Sequence, residues 1–493
     1  MSNVVNRGPK GNQLRLLSRE EVEAVHNAAL DVLKDTGIDC YSDKILGIFE
    51  EAGADVDREK RRVRIPEHLI DEAINKAPSK ILFCGRDSKN DILLEGSRVY
   101  YGFGGTPTPL ILDHRTDEFR RPGKKDMIET TLVGDALSNM DFMMTNAGVF
   151  DVPYEAEYLH EFEILLNYTQ KPILYSAPSA YLAEKYLEMG AIVAGSLKEL
   201  QRRPFIALYT EPASPLMLTK SQENLIGFAK ANIPIAIAPM PLSGGTAPGT
   251  VMGSCVVGTS ETLAAITLIQ LVNPHAPVIY GGWGLTMDPR SGMCAYGSPE
   301  FAMGANAIMA QMARFYNLPS YGFGGCADGK LPGPQSGAEV MMNALVAGQS
   351  GVNLIHDCGY LAGGMVGSIE QAVIANEIVG MAKRIIQGVR VDDDHLAVDV
   401  IREVGPGGNF VTQKHTREHV GEFLLSELFD RNSFGTWQSG GAKDTRTVAK
   451  ERIEKILKQH KPEPLGQEIR ERLSEVVKEG ERELTTKQRK AEG

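Results

Sequence analysis

From residue 99 onward, short continuous apolar runs alternate with longer amphipathic stretches, and each short run ends at or near Gly, Pro, Ser or Asn. Eight such runs occur, at 99–103, 142–146, 172–176, 204–209, 234–238, 277–281, 319–323 and 351–356. Their continuity, rather than alternation, predicts strands covered on both faces. Five of the eight begin at Pro, a strand position where a missing N–H costs the ladder little. Starts recur every roughly 30 to 43 residues, room for one strand, two loops and one helix. The intervening segments carry helix starts: capping boxes at Thr219-Lys220-Ser221-Gln222 and Ser368-Ile369-Glu370-Gln371, and Pro at the first helical position in Ser298-Pro299-Glu300. Eight consecutive β–α units predict a closed (β/α)8 TIM barrel in preference to an open doubly wound sheet.

Residues 14–82 read as mainly helical. Ser18-Arg19-Glu20-Glu21 is a capping box, Val22, Val25, Ala29 and Val32 follow at helical spacing, and a second start at Pro66 leads into Leu69, Ile70, Ala73 and Ile74. Beyond residue 387 the chain is charged and largely helical, with a disordered end expected from about Leu484. The expected organisation is an N-terminal helical or mixed extension over 1–95, the barrel over 96–388, and a C-terminal helical extension over 389–493.

Composition narrows the function classes. The chain has 493 residues, 42% apolar and 23% charged, which is ordinary globular usage. A net charge of −11 argues against a nucleic-acid or anionic-membrane partner held by a basic face. The first residues lack an apolar core of signal-peptide length, and no run is expected to span a bilayer. Six scattered cysteines without a CxxC pair predict reduced, mostly buried thiols in a cytoplasmic protein.

In a barrel, the residues that end each strand converge on one mouth. These are Tyr101 and Phe103 from the first strand, Asn146 from the second, Tyr175 and Ser176 from the third, and Tyr209 and Glu211 from the fourth. Trp283 follows the sixth, Phe323, Cys326 and Asp328 the seventh, and His356, Asp357 and Tyr360 the eighth. Aromatic residues are 7% of the chain but over a third of the strand-end set. Rings beside one or two carboxylates suit an alkylated ammonium ion, at ~0.5–2 kcal/mol per ring face; the alternative is that the rings simply fill the barrel. Glycine pairs crowd the same loops, among them Gly104-Gly105, Gly281-Gly282 and Gly324-Gly325. They would let a bulky planar group approach the backbone at Gly104, Gly282 and Gly324, or they serve tight βα turns. None forms a GxGxxG or a P-loop.

Other constellations carry less. His356-Asp357 reads as an oriented base or a structural pair. His415 and His419 stand one helical turn apart but, with no third ligand evident, are expected on a solvated face rather than around a metal. Lys330 offers a Schiff-base amine, but from a Gly/Pro-rich loop rather than a strand.

Several motifs resemble the trimethylamine methyltransferase family of corrinoid-dependent enzymes across nearly the whole chain. They are the pattern Val32-Leu33 to Gly37-Ile38, Tyr101-Gly102-Phe103-Gly104-Gly105, and Gly322-Phe323-Gly324-Gly325-Cys326-Ala327-Asp328-Gly329-Lys330 followed by Gln335-Ser336-Gly337-Ala338-Glu339. Val404-Gly405-Pro406-Gly407-Gly408-Asn409-Phe410 and the run from Phe434 to Asp444 with Trp437 complete the set. The resemblance implies a barrel that moves a methyl group from a methylated amine to a cobalt corrinoid (cobalamin) carried by a small partner protein, with no cofactor tightly bound and with self-association expected. Family members that use trimethylamine carry pyrrolysine in the loop after the seventh strand. Here Asp328 to Gln335 are ordinary residues, so the chain is similar to the non-pyrrolysine branch, which demethylates quaternary amines such as glycine betaine.

That branch fits the candidate chemistry. A quaternary nitrogen leaves as a neutral tertiary amine, so no proton need be delivered, and the protein must align the N-methyl and exclude water. The substrate-binding set is then Tyr101, Phe103, Asn146, Tyr175, Tyr209, Trp283, Phe323, His356 and Tyr360. A betaine carboxylate would need a donor, for which a cationic His356 comes first, followed by Asn146, Ser176, Arg290 and loop N–H groups. The alternatives are a barrel lyase or aldolase using Lys330 or His356-Asp357, and a non-catalytic betaine-binding protein.

Overall fold

The computed structural model describes residues 5–492, with side chains described through residue 486. Eight parallel strands form one sheet: β1 (Tyr100–Phe103), β2 (Phe142–Met143), β3 (Ile173–Ser176), β4 (Ile206–Thr210), β5 (Ile235–Ile237), β6 (Val278–Tyr280), β7 (Tyr321–Phe323) and β8 (Leu354–Cys358). Neighbours pair in order from β1 to β6, β7 pairs with β8, and β8 pairs with β1. A parallel bridge between Tyr280 and Ser320 joins β6 to β7 and closes the cylinder. The fold is the (β/α)8 barrel expected from the pattern. β8 begins three residues later than its apolar run because Gly351, at φ +78°, is the left-handed cap of the preceding helix.

The outer helices are α1 (Lys124–Ala136), α2 (Glu157–Tyr168), α3 (Ala180–Ala194), α4 (Asn224–Ala231), α5 (Val251–Val272), α6 (299–315), α7 (Pro334–Ser350) and α8 (Ile369–Gln387). The sequence signals act where they stand. Thr219 and Gln222 close a capping box that opens a short 3-10 turn running into α4, Ser298 caps α6, and Ser368 caps α8 through the Gln371 N–H.

α5 corrects one expectation, since it is long and apolar enough by composition to cross a membrane. Its apolar window is 83% buried inside the protein. The N-terminal helices Arg19–Asp31, Asp43–Glu51 and Glu67–Lys76 pack on the face that a barrel helix normally turns to water. A helix covered all round is apolar all round. It also carries Glu261, which accepts hydrogen bonds from the Leu216 N–H and Ser214 Oγ and is raised to about 8 by burial.

The N-terminal part is less helical than expected. Strands Ile38–Cys40, Arg62–Arg64 and Asp55–Asp57 form an antiparallel ribbon, and Met217–Leu218 of the β4–α4 loop extends it. A hairpin of Lys80–Phe83 and Ile92–Glu95 follows. Such strands are three or four residues long, and Arg62, Arg64, Asp55 and Asp57 leave no apolar run to read.

At the other end, helix Thr445–Gln459 packs against α8 and α1, burying Ala449 and Ile453. Arg446 and Lys450 reach Glu370, whose side chain is wholly buried. Helix Gln467–Glu492 packs on α2 and α3 through Leu473, Val476 and Val477. It continues through the stretch expected to be disordered, with Leu484 packed against the core; Gly493 lies outside the described residues. Leu473, Val477, Gly480 and Leu484 form one stripe at helical spacing, which docks the helix as far as Leu484. All six cysteines are free; five are buried and Cys294 is half-buried.

Truncating the stripe of the first C-terminal helix should loosen this layer. Ile453→Ala is expected to cost about 2–5 kcal/mol, measured by chemical denaturation, with faster proteolysis within 445–459.

Candidate active site

Strand parity decides which strand-end residues face the mouth. Tyr321 and Phe323 of β7 and His356 of β8 point inward, with ring centroids 4.3 Å apart for Tyr321–His356 and 4.7 Å for Phe323–His356. Tyr209 of β4 meets Tyr321 edge-on at 5.7 Å. Trp283 lies 4.1 Å from Phe323 and stacks on His356 at 5.6 Å, while its indole N–H donates to the Tyr321 carbonyl at 2.6 Å. Phe301 and Tyr296 add two further rings beside Phe323, at 5.0 and 5.9 Å.

Three expected site residues face the other way. The Tyr101 hydroxyl donates to the Ala344 carbonyl of α7 at 2.7 Å. Phe103 fills the space over Gly134 of α1. Tyr175 bonds Glu161 of α2 and stacks with Phe162 and near Tyr186 of α3. On β1 and β3 these odd-numbered residues cement strand to helix, and the inward positions are Gly102 and Ser176.

The three loop glycines do not form an open slot either. A Cβ at Gly104 would lie 1.9 Å from the Thr145 carbonyl, at Gly282 2.3 Å from the Tyr280 hydroxyl, and at Gly324 2.3 Å from Ile355 Cγ2. Each is needed because protein already occupies the space, so the tight-turn reading replaces the corrinoid-approach one. Asn146 is fully buried with neither amide atom partnered. Arg290 is exposed and paired with Asp288 at 2.6 Å, outside the mouth.

Electrostatics correct the role expected of His356. Its Nδ1–H donates to the Gly322 carbonyl at 2.7 Å, because that oxygen only accepts. Burial holds its pKa down at about 3, so the ring is neutral and is no cationic clamp for a carboxylate. The free Nε2 faces Asp357 Oδ1 at 3.2 Å. Burial first, and the nearby Glu211 second, raise the Asp357 pKa well above its ordinary range. Asp357 adopts φ +73°, costly for a residue with a Cβ, and its N–H donates to the Gly104 carbonyl at 2.7 Å.

Tyr209, Glu211 and Ser176 line a cavity of about 330 Å³ with Thr106, Tyr158 and Gln222. None of its lining residues is Lys or Arg. Glu211 opens into this water-accessible space but is ringed by protein, which raises its pKa against the lowering effect of the Tyr209 hydroxyl bonded to it. Tyr296 joins the rings against Phe301 and Phe323, and the cavity touches that ring cluster through Tyr209, edge-on to Tyr321. The Tyr360 hydroxyl donates to the Thr106 carbonyl and closes the rim on the β1 side. Asp328 accepts from the Gly297 N–H at 2.8 Å and the Tyr296 N–H at 3.3 Å and so pins the Tyr296 loop. Lys330 is exposed and donates to the Asp328 carbonyl at 2.6 Å, away from any strand end. Larger hollows, of about 580 and 880 Å³, lie among α7, α8 and residues 425–448 on the outside of the barrel.

A mouth of rings beside buried carboxyl groups whose pKa values are raised, with no Lys or Arg lining the cavity, is chemistry for a methylated nitrogen cation. A family model described as trimethylamine methyltransferase matches residues 2–485. The chain belongs to this family. It is 36% identical to a trimethylamine methyltransferase MttB of Desulfitobacterium hafniense, with 96% of this chain and 95% of that one covered. It is 33% identical to the trimethylamine methyltransferase MttB of Methanosarcina barkeri, at 95% of each chain, and 31% identical to a glycine betaine methyltransferase of Desulfitobacterium hafniense, at 97% and 98%. Among solved structures, the monomethylamine methyltransferase of Methanosarcina barkeri superposes with a TM-score of 0.52 at 15% identity, covering 90% of this chain and 88% of that one, a likeness of fold. The family makes this protein a methyltransferase acting on methylated amines.

Tyr321 and Tyr296 join the ring cluster at the mouth without having been expected there. Tyr321 has the inward parity of Phe323, and counting in twos along β7 would have found it; Tyr296 lies in the β6–α6 loop, where no periodicity points to a partner.

Two substitutions separate the inward from the outward rings. Tyr101→Phe should leave kcat/KM within about two-fold while lowering stability by ~0.5–1.5 kcal/mol through the lost hydrogen bond to the Ala344 carbonyl. Trp283→Ala should cost ~3–5 kcal/mol in denaturation, because the stack collapses.

Proposed function

We propose that this protein takes a methyl group from a quaternary amine, glycine betaine first, and passes it to the Co(I) corrinoid of a small cytoplasmic partner protein. The observation that carries this reading is the cavity lined by Tyr158, Tyr209, Ser176 and Glu211, with no Lys or Arg among its lining residues, which meets the ring stack through Tyr209 edge-on to Tyr321. The rings seat the cation. The two acids, Glu211 and Asp357, whose pKa values burial raises, attract it without the tight ground-state binding that would slow the step.

The corrinoid supplies the nucleophile. What this chain does is hold one N-methyl group toward solvent and keep the rest of the ammonium in a dry wall of rings. The tertiary amine leaves neutral, so His356 has no proton to give. With His356 neutral, a betaine carboxylate would be received by a protonated acid or by Ser176. Support for docking comes from exposed apolar side chains on four βα loops: Tyr154 after β2, Met293 after β6, Leu331 after β7 and Met365 after β8. Exposed Phe423 and Leu425 beyond α8 support self-association on another face.

One observation favours a second reading. A protonated Asp357 could give a proton to a tertiary amine, and two of the relatives quoted above are trimethylamine methyltransferases. A panel of betaines and trimethylamine, each incubated with chemically reduced cobalamin, separates the two. Loss of the Co(I) absorbance is expected with a quaternary amine and not with trimethylamine. The opposite pattern selects the second reading, and no loss with any member sinks both.

The acids set a pH dependence. A bound cation favours their ionised forms, so binding should release protons, and affinity should climb as pH rises above the ordinary carboxylate range. Calorimetry with glycine betaine in buffers of different ionisation enthalpy measures this, and Glu211→Gln should weaken it; a flat profile would count against the cation site. Tyr296→Ala should raise KM about 2- to 30-fold, the equivalent of ~0.5–2 kcal/mol.

A further inference from the structure

Beyond α8 the chain runs through helices Asp393–Leu396, Val398–Val404 and Lys414–His419 and the 3-10 turn Val420–Glu422. None has a fully buried side chain. Segments this short do not hold their shape by propensity, and without a core they call for another crosslink. Two histidines and two carboxylates meet where these pieces fold on one another.

The ligand atoms of Asp394, His395 and His419 lie within 4.8 Å of one another. His395 Nε2 is 3.3 Å from Glu422 Oε1, and His419 Nε2 is 3.2 Å from Asp394 Oδ2 and 4.0 Å from Glu422 Oε1. The other ring nitrogens are already engaged. His395 Nδ1 lies 2.5 Å from Asp392 Oδ1, and His419 Nδ1 lies 2.9 Å from the His415 carbonyl. Both outer partners only accept, so each Nδ1 keeps a hydrogen, and each Nε2, facing carboxylates at 3.2–3.3 Å, is the nitrogen that would exchange its proton for an ion. A carboxylate or carbonyl behind the distal nitrogen is the arrangement that orients metal-bound imidazoles and raises their basicity.

We propose that Asp394, His395, His419 and Glu422 form a structural site for a divalent transition ion of the zinc class, which staples residues 392–422. Two neutral imidazoles and two carboxylates match the ion's charge and supply four N and O donors, a set suited to tetrahedral coordination. His395 and His419 are largely shielded while Asp394 is mostly exposed, so the ion enters from solvent. The expectation of a solvated His415/His419 face changes accordingly: His415 supplies its carbonyl behind His419, and Asp394, His395 and Glu422 come from places the local spacing does not join.

The test uses the full chain, stripped with a chelator and titrated with ZnCl2 against a chromophoric competitor. One Zn2+ per chain is expected, with His395→Ala and His419→Ala each losing at least about 100-fold in affinity. Asp392→Asn, which keeps all four ligands, should lose about 10- to 100-fold, and His68→Ala, on a distant exposed helix, should lose nothing. Hydrogen exchange should show residues 392–422 protected by Zn2+ in the unaltered protein and in His68→Ala, but not in His419→Ala. Sub-stoichiometric uptake by the unaltered protein, or equal affinity in both histidine variants, overturns the site and leaves an ion-pair cluster in its place.

Discussion

Successive side chains of a strand face opposite sides of the sheet, and in an eight-stranded barrel the inner side is only wide enough to be filled by side chains. That constraint governs the candidate site. Tyr321, Phe323 and His356 share the inward parity of β7 and β8 and must pack on one another, and Trp283 closes over them with its indole N–H bound to the Tyr321 carbonyl. The top of the barrel on that side is therefore solid. Space survives over β3 and β4, where Ser176 is the inward residue and the Tyr209 ring stands at the edge of the stack. The opening is off-centre because the large rings come from adjacent strands.

The same packing sets the charge of the site. A ring wall solvates ions poorly, so the His356 pKa is held down at about 3 and that of Asp357 is pushed up. Gly104 makes this possible at one remove: its left-handed backbone, at φ +66°, brings its carbonyl to the Asp357 N–H and holds that residue at φ +73°. Strain of this kind persists only where surrounding structure fixes it, and here it sets the Asp357 carboxyl beside His356, with Oδ1 3.2 Å from Nε2.

The eight strands were legible because two-sided burial writes itself as an unbroken apolar run, and the prolines mark where each run starts. The short ribbons of the N-terminal part were not, since three residues with alternating charge carry no period. α5 misled in the opposite sense: uniform apolarity reads as a membrane or a core, and only the docking of three distant helices decides between them. At the mouth, residue type was legible and direction was not. Tyr101, Phe103 and Tyr175 belong to runs as apolar as that of β7, and nothing local says which parity is inward. Asp394 and His395 stand more than 20 residues from His419, so their meeting depends on how several weak helices turn.

The C-terminal region shows why such a meeting matters. Glu370 sits wholly buried at the start of α8, and an uncompensated carboxylate there would be costly; Arg446 reaches it at 2.9 Å from the helix that covers α8 and α1. That helix is thus part of the barrel's outer layer, and the chain between α8 and it must cross exposed ground. Val389, Val391, Val411, Phe423 and Leu425 stay largely uncovered along the way, so apolar burial within this chain does little to fix the crossing. Polar contacts remain, and the densest of them gathers His395, His419, Asp394 and Glu422 at the base of the excursion. As plain ion pairs in water these would contribute little. As ligands of one ion they would close the segment on itself, and the outer layer would inherit a fixed entry point for the helix that neutralises Glu370.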